Sequence, residues 1–153
     1  MQYEMQGTGG LRGCEGDEGV KKVRLISRDE AFKRAERIAE EYRAIHGVEF
    51  TVEDRFIRID DVVPTQAVLS EVKLLVVLQE IKHGYNAPII VIPYNRKYYL
   101  VDGHHRAFAL KKLGFREVEA LILQPDSLFM PGALKTAEKS GLRGLEDMKV
   151  VRD

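Results

Sequence analysis

With a single cysteine, Cys14, among 153 residues, the chain has neither an internal disulfide framework nor a four-cysteine zinc site. It has no excess of either charge sign: 24 lysines and arginines balance 24 aspartates and glutamates. The global basic bias of a protein that coats nucleic acid is therefore missing, although a local basic patch stays open. No apolar run is long enough to span a membrane and no signal-peptide pattern opens the chain, which reads as a soluble protein of a reducing cytoplasm. A Walker-type glycine–lysine loop, a dinucleotide glycine fingerprint and a serine elbow are all absent.

What remains is enough for one domain with a real core, 44% of the residues being hydrophobic. Six glycines between Gly7 and Gly19 break any periodicity, so residues 1–20 are expected to form a flexible leader. Cys14 lies in it, and no catalytic role is expected of that thiol. Ser27 with Glu30 three positions on is a capping-box signature. Apolar residues from Ala31 to Ile45 then recur at helical spacing, giving an amphipathic helix over 28–46 with Arg34, Arg37 and Arg43 on its outer face. A strand is expected between Val48 and Asp60, broken by Pro64. A helix capped by Ser70 follows, with Leu74, Leu75, Leu78 and Ile81 on its apolar face. Ile89–Ile92 reads as a buried strand that turns through Asn95–Arg96 into a hairpin partner. A helix from about His104 to Leu113, a strand over Val118–Leu123 and a weak helix over Ala133–Ser140 complete the pattern. The expected class is α/β or α+β with a small mixed sheet. One domain would cover 21–140, leaving 141–153 as a tail.

The chemistry concentrates in Val101-Asp102-Gly103-His104-His105-Arg106-Ala107. A strand ends, a glycine turns, and a helix begins on two histidines and an arginine. A helix start offers unpaired N–H groups and partial positive charge, and a glycine lets a ligand come close. Arg106 adds a planar fork that matches a phosphate. His104 and His105 are neighbours on a helix, so one is expected to face the ligand and the other to pack or cap. Asp102 would either cap the helix or help to hold Mg²⁺ against a phosphate. No dedicated transition-metal site is expected, because such sites need three or more protein ligands. Lys111, Lys112 and Arg116 read as a wet helix end or as a nucleic-acid contact.

The segment from Ile57 to Leu123 resembles the ParB/sulfiredoxin fold. Three stretches match in order: Ile57–Pro64, Ile81-Lys82-His83-Gly84 with Pro88–Val91, and the glycine-x-x-arginine box at Gly103–Arg106. The resemblance implies phosphate or nucleotide binding at Gly103, His104, His105 and Arg106, with Thr65 and Gln66 near the ligand. Sulfiredoxins carry a cysteine where His104 stands, so sulfinic-acid reduction is not implied. ParB-type partition proteins bind CTP through a glutamate-arginine-arginine box and continue into a helix-turn-helix domain. The 30 residues after Leu123 are not expected to hold one. Archaeal ADP-dependent free serine kinases share the aspartate-glycine-histidine-histidine-arginine box. Their catalytic glutamate follows the loop proline, where Thr65 and Gln66 stand here, and an amide is not a base.

The resulting expectation is a nucleotide-dependent phosphotransferase or nucleotide hydrolase. Arg106, His105 and Asp102 would be its catalytic groups, ADP, ATP or CTP its nucleotide, Mg²⁺ its helper, and a small molecule its phosphoryl acceptor. The alternative is a nucleotide-sensing or DNA-associated binding module without turnover, and a nuclease ranks third. The oligomeric state stays open.

Overall fold

Ile89, Val91, Ala120 and Ile122 alternate with Ile90, Ile92, Leu121 and Leu123, and all eight are buried. Strands apolar on both faces need cover on both, and this α+β fold supplies it. In the computed structural model, which describes residues 23–153, a five-stranded mixed sheet carries α1 (Arg28–His46) on one face and α2 (Glu71–Lys82) with α3 (His104–Lys112) on the other. The expected leader and Cys14 lie outside the described residues.

The sheet contains β1 (Phe50–Arg58), β2 (Val62–Val63), β4 (Ile89–Tyr94), β5 (Lys97–Asp102) and β6 (Glu117–Pro125), in the order β1-β6-β4-β5-β2. The β1–β6 and β4–β5 pairs are antiparallel, while β6–β4 and β5–β2 are parallel. The hairpin turn places Asn95 and Arg96 at φ 51° and 68°, the backbone of a two-residue turn that follows strand twist. β3 (Val68–Ser70) pairs outside this sheet with the C-terminal β7 (Lys149–Val151), and α4 (Gly132–Lys139) packs beside β5.

Ser27 caps α1 reciprocally with Glu30, and Gly47 closes it in the left-handed conformation. Its small residues Ala31, Ala35 and Ala39 lie flat on Ile90, Leu121 and Leu123. The buried face of α2 differs from the expected one: Leu74 and Val77 are buried, whereas Leu75 is 58% exposed. At 100° per residue Leu75 cannot share a stripe with Leu74, Val77, Leu78 and Ile81. Residues 141–153, expected to trail, send Leu142, Leu145 and Met148 into the interior through a short 3-10 turn (Leu145–Asp147). Three apolar residues at a spacing of three, in a segment too short to show a sustained period, do not stand out in a periodicity reading.

Candidate anion site at the start of α3

Gly103 sits at φ 101°, ψ 29°, and starts α3 without any side-chain cap. A side chain there is excluded twice over. The backbone is left-handed, and a Cβ would lie 2.8 Å from Arg106 Nη2 and 3.0 Å from Ile89 Cγ2. The guanidinium of Arg106 is thus tucked beneath the turn. Its Nη2 donates to the Pro88 carbonyl at 3.0 Å and lies 3.5 Å from Asp102 Oδ2. Nε is buried without a partner, and Nη1 makes no hydrogen bond with a described residue. One nitrogen of three is committed, and a buried N–H without an acceptor is rare enough to need explaining.

The expectation that Asp102 caps α3 does not hold. The cap is Gly103, and both carboxylate oxygens of Asp102 face Arg34, at 3.1 and 3.2 Å from Nη1. Arg34 therefore does not belong to the solvated outer face of α1. It stands three residues after buried Ala31 and four before Ile38, on the border of the apolar stripe, and that spacing was the signal available in the sequence. With both oxygens held by guanidinium groups, Asp102 is ill suited to hold Mg²⁺, and the residues present do not fit a magnesium site. Among the described residues no group of three or more His, Cys, Asp and Glu side chains converges.

The two histidines share one chemistry at two places. Thr65 donates its backbone N–H to His104 Nε2 at 3.0 Å, and Ser70 donates its backbone N–H to His105 Nε2 at 3.0 Å. A nitrogen that accepts from an N–H carries no proton, so both rings hold theirs on Nδ1. Burial pushes His104 down to about 4, with His105 and Arg106 adding to the effect against Asp102. Burial, then Lys73 and Arg106, push His105 down to about 4 as well. Both rings are neutral at pH 7. They work as brackets: His104 ties the β2–β3 loop to α3, and His105 ties the start of α2 to it.

These elements close around a cavity of about 130 Å³. Gln66, Asp102, Gly103, His104, His105 and Arg106 line it, whereas Thr65 does not and acts through His104. Sequence reasoning missed three further cations on its wall: Arg24, Arg34 and Lys73. Arg24 pairs with Glu30 and Arg34 with Asp102, while Lys73 forms no ion pair with a described residue. Lys73 lies three residues after the Ser70 cap and four before buried Val77, which turns it toward α3. Among the described residues, four cations surround one carboxylate, and Val77, Leu25, Ile26 and Tyr85 give the cavity an apolar end. Its volume suits a phosphate group and falls short of a whole drug-sized ligand.

The basic cluster is quieter. Lys111 pairs with Asp60 and Glu146 at 3.2 and 3.3 Å, and Lys112 lies over the Phe108 ring.

Fold and cavity together define a ParB/sulfiredoxin-like α+β domain whose uncapped helix start faces a cavity lined by cations. The chain belongs to the ParB N-terminal domain family, whose model matches residues 35–132. It is 36% identical over 121 residues to an uncharacterized protein of Methanocaldococcus jannaschii, covering 78% of this chain and 45% of that one. It thus spans under half the length of this curated relative. A solved protein from Agrobacterium tumefaciens shares the fold at a TM-score of 0.50 and 20% identity, over 64% of this chain and 62% of that one. A free serine kinase mutant in complex with AMP matches at 30% identity and a TM-score of 0.43, over 48% of this chain and 32% of that one. No helix among the described residues is long and apolar enough to cross a membrane.

Proposed function

We propose that the cavity at the start of α3 binds the phosphates of a nucleotide, and that the domain serves nucleotide-dependent phosphoryl transfer or hydrolysis. The observation that carries the reading is the meeting of Arg24, Arg34, Lys73 and Arg106 around a helix N-terminus with no side-chain cap. Backbone N–H groups and cations of this kind hold phosphate oxygens and stabilise charge on a transferring phosphoryl group. The cavity takes the phosphates. The box shared with ADP-dependent kinases favours ADP or ATP over CTP.

Lys73→Ala is the informative variant. Arg106 also bonds Pro88 and packs under Gly103, so its truncation loosens the fold as well as the site. Lys73 has no such second task. By calorimetry, ADP should bind more tightly than AMP or inorganic phosphate. Lys73→Ala should weaken it about tenfold or more with an unchanged melting temperature, as for a charged hydrogen bond. Unchanged affinity in that variant would sink the reading.

A second reading, a nucleotide-binding module without turnover, draws on one observation: Asp102, the sole carboxylate on the cavity wall among the described residues, is held by two arginines. No phosphate release from tightly bound ADP or ATP, with candidate acceptors present, would select it.

A further inference from the structure

We propose that a second cavity, of about 340 Å³ behind α3, binds a small primary amine with an aromatic or branched apolar body. It lies between the end of α2, the Gly84–Ala87 loop, the Arg106–Leu110 face of α3 and the start of β6. Its volume falls within the range of small-molecule pockets, and it is larger than the anion cavity. Ile81, Ala87, Leu110 and Val118 make its walls apolar. Phe56 and Phe115 at its mouth are 62% and 49% exposed. Two such rings beside an apolar cavity form a hydrophobic surface that a ligand would cover.

Charge at the mouth selects the ligand's polar end. Phe56 stands opposite Glu119 in the β1–β6 register, and Glu117 lies two residues away on the same face. Arg28 takes Glu119, but Glu117 forms no ion pair with a described residue, not even with its cross-strand neighbour Arg58. Arg106 reaches the cavity only at its inner end, away from the mouth, and shares Asp102 with Arg34. A ligand thus finds an apolar interior, two aromatic faces and an unclaimed carboxylate. At the mouth, an ammonium group satisfies the carboxylate and is attracted to the rings, whereas an anion placed there is repelled.

Tryptamine, indole and indole-3-acetate share a ring system and differ in charge, so they serve as probes. Each is titrated into the ¹⁵N-labelled full chain, and the amide shifts of Phe56, Ala87, Leu110 and Phe115 are followed. Tryptamine should move these amides and bind about two- to fivefold more tightly than indole, the worth of an exposed ion pair, with indole-3-acetate weakest. Glu117→Gln should erase the advantage of tryptamine over indole. Phe115→Ala, at an exposed position, should weaken both. Shifts confined to other regions, equal binding of the three probes, or an advantage that survives Glu117→Gln would overturn the proposal. None of these results depends on whether the chain binds nucleotide.

Discussion

Arg34 and Asp102, 68 residues apart, meet at 3.1 and 3.2 Å through one guanidinium nitrogen and both carboxylate oxygens. The pair fastens α1 to the turn that begins α3, and it offsets the negative charge of Asp102 on the cavity wall. Arg34→Ala leaves Asp102 facing the ligand with only the longer Arg106 contact to balance it. Nucleotide affinity should fall about tenfold or more, since a charged hydrogen bond is lost and repulsion is gained. Arg34→Lys should recover much of this, because a single nitrogen makes both contacts and a point charge can stand in for it. Equal ADP affinity in wild type and Arg34→Ala, measured by calorimetry, would remove Arg34 from the site.

Gly103→Ala tests whether the tucked position of Arg106 matters. The new Cβ meets Arg106 Nη2 at 2.8 Å and Ile89 Cγ2 at 3.0 Å, on a backbone at φ 101°. Arginine can shift, while the sheet residue gives way less easily. Left-handed strain alone costs about 1–3 kcal/mol, so the urea midpoint should fall at an unchanged slope. ADP binding should weaken beyond what the lost stability explains. A variant as stable as wild type would show that the turn is not strained as described.

Much of this architecture is legible locally. The capping box at Ser27 and Glu30, the Asn95–Arg96 turn and the apolar run Ile89–Ile92 each carry their structure in a few adjacent residues. So does the start of α3 at Gly103. The wall of the cavity is legible only in part, because it joins residues from α1, α2 and the segment before α1. Arg34 and Lys73 read alone are surface cations, and only their positions beside the buried stripes of α1 and α2 betray them. Arg106 shows the limit of motif reading. The box marks the residue, but not that its Nη2 is committed to Pro88 and that its Nε is left unpaired.

Leu145 provides a test of the C-terminal segment. It is 1% exposed within the main core cluster, held by a 3-10 turn whose Asp147 accepts from the N–H groups of Arg143 and Gly144. Asp153, further on, accepts from the Ser70 hydroxyl and from the Val72 N–H at the start of α2. Leu145→Ala should destabilise the domain by about 2–5 kcal/mol, the cost of a large-to-small change in a core. A loss below about 1 kcal/mol in urea unfolding would mean that this segment only rests on the surface.

The histidine brackets predict how stability responds to acid. Both rings lie near a pKa of 4 in the folded chain, against an ordinary value of 6.5. Between these values the unfolded chain binds protons that the folded chain refuses, so folding stability rises with pH across that window. The contribution is fully present above about pH 6.5 and is lost as pH falls toward 4. For buried His104 it is on the order of 3 kcal/mol, and it is smaller for partly exposed His105. Carboxylates titrate in the same range, so the comparison must be with a variant. His104→Gln keeps an acceptor for the Thr65 N–H and removes the titration. Its urea midpoint should fall less than that of wild type between pH 7 and pH 4.5, and the same substitution at His105 should flatten the profile further. Parallel profiles for wild type and the double variant would mean that the rings take up protons freely in the folded state, and that the N–H groups of Thr65 and Ser70 do not hold them neutral.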